Sequence, residues 1–311
     1  MHLFDLLPTA ILATASILHL TTAQTPYPPS SSKRGLAYVK PDDDAADNAY
    51  WTDSSLTWYY NWQATPSSQL SSSSLQFVPM LWGSANSNGF HDTVKSQLDS
   101  GKNITHVLGF NEPDGCHGVE GGSCLDAQTA AEIWIREMEP LKELGVKLGA
   151  PAVTSAPTGF NWLANWFSAC DGQCNPDFIP VHYYGDFQGF ASHIGQVNAT
   201  YGNMTMWVTE WAFPKSKNLE GSQDFFNQSI AFVERVPYID RYSYFGAFRS
   251  SASNVGKNAA MLTQKGQLTD IGAWYLGKAA TGNIPKGDAV RTTRFAGSVG
   301  LVIAVGLWCV G

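Results

Sequence analysis

Eight short, largely apolar segments recur along this chain, at 35–39, 56–62, 76–82, 106–110, 147–153, 178–183, 204–209 and 241–245. Helical periodicity falls between them. Segments that are short and apolar nearly throughout fit strands buried on both faces. Strands alternating with helices call for crossover connections, and hence a parallel sheet. Eight such units in roughly 250 residues is the size at which the sheet closes into a (β/α)8 TIM barrel. A single α/β barrel domain is therefore expected over residues 33–280. The other arrangement is an open doubly wound sheet, which carries a Gly-rich phosphate turn after its first strand. Tyr38-Val39-Lys40-Pro41 is no such turn.

The clearest helix starts at Asp126, a side chain suited to capping, and runs to Leu144. Ala130, Ile133, Trp134, Met138 and Leu141 recur along it at helical spacing, Pro140 should kink its last part, and Gly145 stops it. Further helices are expected at 90–100, 160–169, 222–236 and 270–280. The serines at 71–74 read as a loop.

Charge narrows the partners. Only 14% of the 311 residues are charged, and the formal charge is -7, which repels phosphate backbones and excludes a nucleic-acid partner. Trp 11, Tyr 12 and Phe 16 together exceed the 19 Lys and Arg. Many flat rings with few charges suit a neutral ligand with apolar faces, such as a sugar, although rings also fill cores.

Both ends resemble addresses. Residues 1–24 hold an apolar run followed by small residues, as in a signal peptide, with 25–32 a Pro- and Ser-rich flexible leader. A polar spacer, 281–294, precedes an apolar tail, 295–311, which fits a signal for glycolipid (GPI) anchoring; a short membrane span or a packed terminal segment are the other readings. A secreted, extracellular or cell-wall protein is expected, held at the plasma membrane through the anchor and otherwise free of membrane. Four N-x-Ser/Thr acceptors, at Asn103, Asn198, Asn203 and Asn227, agree with export. So does an even number of cysteines in the body, for which pairing of Cys116 with Cys124 and of Cys170 with Cys174 is expected. Zinc is disfavoured, because neither couple has the usual spacing and no histidine pair completes a site.

In such a fold chemistry sits where strands end. The fourth strand runs into Gly109-Phe110-Asn111-Glu112-Pro113-Asp114, and the seventh ends at Trp207-Val208-Thr209-Glu210-Trp211. Two carboxylates thus arrive at one end of the sheet. Cleaving a glycosidic bond with retention needs a protonated carboxyl for the leaving oxygen and an ionised one to attack the anomeric carbon, about 5 Å away. Asn111 is placed to hydrogen-bond a sugar hydroxyl. His182 and Tyr184, at the end of the sixth strand, are placed to orient Glu210 and hold it ionised. This mechanism requires neither metal nor organic cofactor.

These residues carry a family resemblance. Lys33-Arg34-Gly35-Leu36-Ala37, Trp58-Tyr59-Tyr60-Asn61-Trp62, Phe77-Val78-Pro79-Met80-Leu81-Trp82-Gly83, Gly109-Phe110-Asn111-Glu112-Pro113-Asp114, His182-Tyr183-Tyr184 and Thr209-Glu210-Trp211 resemble the fungal glycosyl-hydrolase catalytic-core proteins of glycoside hydrolase family 128. The match runs over about 33–277. The resemblance implies a retaining β-1,3-glucanase, with Glu112 as general acid/base, Glu210 as nucleophile, and β-1,3-glucan or its oligosaccharides as ligand.

Along the second strand Trp58, Tyr60 and Trp62 alternate with Tyr59 and Asn61, so one set faces inward and the other the helices. Tyr60, Asn61 and Trp62 are the candidates for substrate contact. Trp82 and Trp211 sit where a ring can stack under a pyranose. Tyr183 reads equally as a buried ring, and Tyr244 and Phe245 as core. His91 and His117 receive no role. The protein is expected to act as a monomer. A glucan-binding protein without catalysis, a tethered wall protein and a transglycosylase on the same scaffold are the rival functions.

Overall fold

A computed structural model describes residues 28–41, 45–116, 121–214 and 218–287. The expected signal peptide and apolar tail, the first part of the leader, the end of the spacer and His117 lie outside the described residues.

All eight expected strands are present, as β1 (Gly35–Ala37), β2 (Trp58–Tyr60), β3 (Gln76–Phe77), β4 (His106–Val107), β5 (Lys147–Leu148), β6 (Phe178–Tyr184), β7 (Thr205–Ala212) and β8 (Ile239–Tyr242). The helices are α1 (Ala49–Thr52), α2 (Phe90–Asp99), α3 (Ala127–Glu137), α4 (Pro157–Cys170), α5 (Phe187–Tyr201), α6 (Leu219–Arg235) and α7 (Asp270–Tyr275). Every ladder is parallel, as the alternation demands.

The expected single closed ladder resolves instead into three sheets, β1-β2-β3, β4-β5 and β6-β7-β8. Isolated parallel bridges lie between them: Met80 to Leu108, Gly149 to Phe178, and Arg34 to Tyr242. The first five strands are regular over only two or three residues, and Pro79, which lacks an N–H, interrupts the third segment. Backbone pairing persists beyond the regular part, as in Val78 N to Tyr59 O (2.9 Å) and Leu81 N to Leu108 O (3.0 Å).

Asp126 caps α3 by accepting from Thr129 N at 2.9 Å. The α-helix ends at Glu137, earlier than the periodicity suggests; a 3-10 turn carrying Pro140 continues to Leu144, and Gly145 closes it at φ 78°. The sequence reading missed α5. Asp186 caps it, and Phe190, Ile194 and Val197 bury at helical spacing, but Gly189 and Gly195 weaken its local helical signal.

Trp58 and Tyr60 of β2 stack with centroids 6.1 Å apart, and Trp62, just past the strand, tilts against Tyr60 at 4.8 Å. Trp207 of β7 meets Trp58 at 5.1 Å and stacks on Phe178 at 4.1 Å. These rings pack the sheet interior beneath the strand ends. The buried Arg34 guanidinium ties β1 to the far side of the chain, bonding Tyr242 Oη (2.9 Å), Tyr275 O (2.9 Å) and Glu234 Oε1 (3.0 Å). Cys116 is bonded to Cys124 and Cys170 to Cys174, as expected. Among the described residues no helix is long and apolar enough to cross a membrane.

Candidate active site

The strand β7 extends three residues beyond its expected end at 209, so Glu210 lies inside it. Strict alternation from the inward Trp207 would turn Thr209 and Trp211 inward and Glu210 out. The register slips instead: Val181 pairs with Val208, but His182 pairs with Glu210. Thr209 is the extra residue of a bulge, which reverses the phase of every side chain after it. Its carbonyl accepts from Tyr60 Oη (2.9 Å) and Ser243 Oγ (2.7 Å), which pin the bulge.

Glu210 is consequently buried among donors. Its Oε1 accepts from Trp62 Nε1 at 2.9 Å and Tyr60 Oη at 3.3 Å; its Oε2 accepts from Tyr184 Oη at 2.5 Å. Burial, followed by the charge of Glu210, pushes both phenols well above their ordinary value, so they stay protonated and donating. Trp62 reaches the carboxylate from a left-handed backbone (φ 56°), which a bulky residue rarely adopts.

Glu112 follows β4 in the same region of backbone space, at φ 41°. Such strain persists only where the surroundings over-determine it. Here Glu112 N donates to Ala152 O (2.6 Å), Gly115 N donates to Glu112 O (2.9 Å), and Asp114 accepts from Thr154 N (2.9 Å) and Thr154 Oγ1 (2.5 Å). A side chain at Gly122 would meet Glu112 O at 2.6 Å, so the loop closes on the carboxylate's own backbone only because that residue is glycine.

His182 joins the two acids. Its Nδ1 lies 3.0 Å from Glu112 Oε1 and its Nε2 3.6 Å from Glu210 Oε1, and the side chain is fully buried. One polar atom from each of the three lies within 4.8 Å of the others. Burial pushes the Glu112 carboxyl up; the bond to His182 pulls it back, Glu210 and Asp114 push it further, and the balance is upward. Burial draws the imidazole down, yet the charge of Glu210 and the bond to Glu112 outweigh it and hold His182 above its ordinary value.

Glu112, His182 and Glu210 are also the described group with spacing for a metal ion. The donors argue against that use. Indole and phenol protons from Trp62 and Tyr184 already point at both oxygens of Glu210, and a cation there would face their positive ends. The arrangement instead sets a carboxyl raised by burial beside one met by indole and phenol donors.

Glu112, Glu210, His182, Tyr60, Trp62 and Tyr184 come together. Asn111 is buried; its amide donates to Gly121 O (3.1 Å), while Oδ1 has no hydrogen-bond partner. Trp82 lies at the same strand ends, half-buried, its carbonyl accepting from Asn111 N at 3.0 Å.

Three placements differ from the sequence reading. Trp211 is fully buried on the outer face of β7, its Nε1 donating to Ser229 Oγ of α6 at 3.0 Å and its ring against Phe190, Tyr242 and Tyr244. The bulge at Thr209 puts it there, and it offers no face to a ligand. Asn61 gives its amide to the turn after β2, donating to Thr65 O (3.1 Å) and accepting from Gln63 N (3.3 Å). His182 makes its hydrogen bond to Glu112 and not to Glu210. Tyr60 and Trp62, expected to meet substrate, direct their polar atoms to Glu210. Asp114 and Thr154, which brace the Glu112 loop, were missed, although Asp114 stands within the quoted motif. Of the four glycosylation acceptors, Asn103 and Asn203 are exposed and Asn198 and Asn227 half-buried; Ser229 of the last is fully buried.

Comparison with known proteins agrees with this geometry. The model of the glycosyl hydrolase catalytic core matches residues 35–275. Alkali-sensitive linkage protein 1 of Schizosaccharomyces pombe is 32% identical over 254 residues, which cover 79% of this chain but only 44% of that protein. Among solved structures, a GH128 subgroup III curdlan-specific exo-β-1,3-glucanase from Blastomyces gilchristii, in complex with glucose, is 26% identical with a TM-score of 0.64, covering 80% of this chain and 99% of that one. A GH128 subgroup II endo-β-1,3-glucanase from Sorangium cellulosum is 25% identical, also with a TM-score of 0.64, over 78% of this chain and 97% of that one. The family model spans both glutamates and nearly the whole described fold, and the chain belongs to the glycosyl hydrolase catalytic core family.

Proposed function

We propose that this protein is a retaining glycoside hydrolase that cleaves β-1,3-glucan by double displacement. The observation that carries the reading is the pair Glu112 and Glu210, with carboxylate oxygens within 4.8 Å of each other in opposed environments. Retaining enzymes hold their carboxyl groups about 5–5.5 Å apart, whereas inverting enzymes leave about 6.5–9.5 Å for a water. Glu112, raised by burial, gives its proton to the glycosidic oxygen as that bond breaks. Glu210, held by the Trp62 and Tyr184 donors, attacks the anomeric carbon as the carboxylate and forms a glycosyl ester. Glu112, now ionised, takes a proton from water, whose oxygen attacks the same carbon; the ester breaks, Glu210 is freed and Glu112 is reprotonated. A sugar hydroxyl in place of that water gives transglycosylation.

The linkage comes from the relatives, whose names specify β-1,3-glucan with both endo and exo action. The isolated bridges between the three sheets, running parallel and in strand order from β1 round to β8, support a closed (β/α)8 barrel. Two disulfides, together with exposed acceptors at Asn103 and Asn203, support secretion to the cell surface or wall, with the apolar tail as an anchoring signal.

The test is product analysis on laminarin. The wild-type protein should release products that first appear as the β-anomer. Glu210→Ala should lose on the order of 10⁴-fold or more in kcat, with azide restoring turnover of an activated aryl glucoside as the inverted glycosyl azide. A first product of α configuration, or full activity in Glu210→Ala, would overturn the reading.

A further inference from the structure

Beside the catalytic loop runs an open groove of about 570 Å³. Pro113, Asp114 and the Cys116–Cys124 bridge form one wall; Asn161, Trp162 and Asn165 of α4 form the other. Pro113 directly follows Glu112 in the chain, so the groove opens at the loop that holds the acid/base.

The solvent face of α4, like that of α5, carries no charged side chain. The 14 residues of α4 contain no charge, and its exposed positions, among them Thr158, Asn161, Ala164 and Asn165, are neutral. Solvated helix faces normally carry charged side chains, as α2 does with Asp92, Lys95 and Asp99. Trp162 is half-buried, and its indole N–H donates to Leu125 O at 2.7 Å, which fixes the ring against the groove. Asn161 and Asn165 stand one turn apart on either side of it. The two carboxylates in the lining are already engaged, Asp114 with Thr154 and Asp126 with Thr129 N. The groove thus presents a pinned ring and free amides, with its two carboxylates held by neutral donors. That combination suits a neutral polyhydroxylated chain, which offers apolar faces to rings and hydroxyls to amides.

We infer that this groove is a secondary glucan-binding site, holding the part of a long β-1,3-glucan that extends beyond the bond being cut. The inference rests on the glucanase reading for its choice of ligand. It makes the protein favour polymer over short oligosaccharides, because only a long chain spans both the acids and α4.

The experiment compares the full chain with an Asn161→Ala/Asn165→Ala variant and with Trp162→Ala, their folding checked by thermal melting. Alanine is a good helix former, so the double variant should fold as well as the parent. The ratio of kcat/KM on laminarin to kcat/KM on laminaritriose is expected to fall at least fivefold in both variants, through KM on the polymer. A ratio equal to wild type in the folded double variant overturns the inference. If the wild-type protein cleaves neither substrate, the glucanase reading fails by itself. Retardation of Glu210→Gln protein in a laminarin-containing gel then decides the groove: loss of retardation on adding the two alanine substitutions supports it, and unchanged mobility refutes it.

Discussion

Nδ1 of His182 and Oε1 of Glu112 lie 3.0 Å apart in a fully buried hydrogen bond. One proton serves this pair, and the net charge of the bond is the same whichever atom carries it. The opposite edge of the imidazole faces Glu210 at 3.6 Å. On the proposed double displacement, His182 couples the protonation of Glu112 to the charge of Glu210, and lets Glu112 both release and recover a proton during one turnover.

Removing the imidazole should move the alkaline limb of the kcat/KM profile. The bond to His182 is what pulls the Glu112 carboxyl down against burial. His182→Phe keeps the volume and removes that pull, so Glu112 should hold its proton to higher pH while kcat falls roughly 10²-fold. His182→Asn, which retains a donor near Nδ1, should restore part of both. A limb unmoved in His182→Phe would show that the histidine acts only in packing.

Trp62→Phe should damage catalysis far more than folding. The substitution removes the indole donor 2.9 Å from Glu210 Oε1 and leaves a ring of similar shape. A hydrogen bond to a charged group is worth about 1.5–3 kcal/mol, which corresponds to a loss of about 10- to 150-fold in kcat. Steady-state kinetics beside a denaturant melt will separate the two effects; equal losses in stability and rate would contradict a positioning role.

Stability should depend on pH through Glu112. Its folded-state pKa is raised, so its contribution is fully present at low pH, where the carboxyl is protonated in both states, and is lost as pH rises through the folded value. His182, also raised, acts in the same direction. Glu112→Gln cannot ionise. Its melting temperature relative to wild type should therefore increase steadily as pH climbs above the usual carboxylate range, by ~2–4 °C for each kcal/mol relieved. A difference constant from pH 4 to 8 would remove Glu112 as the titrating group.

Two tryptophans should give opposite phenotypes. Trp211→Ala should cost about 3–5 kcal/mol of stability by opening the layer between β7 and α6, with little change in KM for the folded enzyme. Trp82→Ala should leave stability nearly intact and raise KM severalfold, as loss of a ring contact worth about 1 kcal/mol would. Chemical denaturation and oligosaccharide kinetics on both variants will show whether the assignments are reversed.

Much of this molecule is local in origin. The eight strand segments, the Asp126 cap, both disulfides and the place of Glu112 after β4 all follow from short-range pattern: apolar runs, a capping carboxylate, cysteines eight and four residues apart. Motif order was enough to single out the two acids, because an Asn-Glu and a Thr-Glu-Trp step stand out against apolar flanks. The helix α5 escaped since its two glycines dilute a periodicity that Phe190, Ile194 and Val197 nevertheless carry.

Which way each residue points was settled only by the assembled fold. No feature within Trp207-Val208-Thr209-Glu210-Trp211 announces that Thr209 is a bulge; that depends on β6 pairing with one phase before it and another after it. The same long-range pairing turns Glu210 toward Trp62, 148 residues away in sequence, and sends Trp211 into the helix layer. It also chooses Glu112 over Glu210 as the hydrogen-bond partner of His182. Side-chain type and strand period are properties of neighbouring residues, whereas strand register is a property of contacts between distant ones, and a slip of one residue exchanges the two faces of a strand.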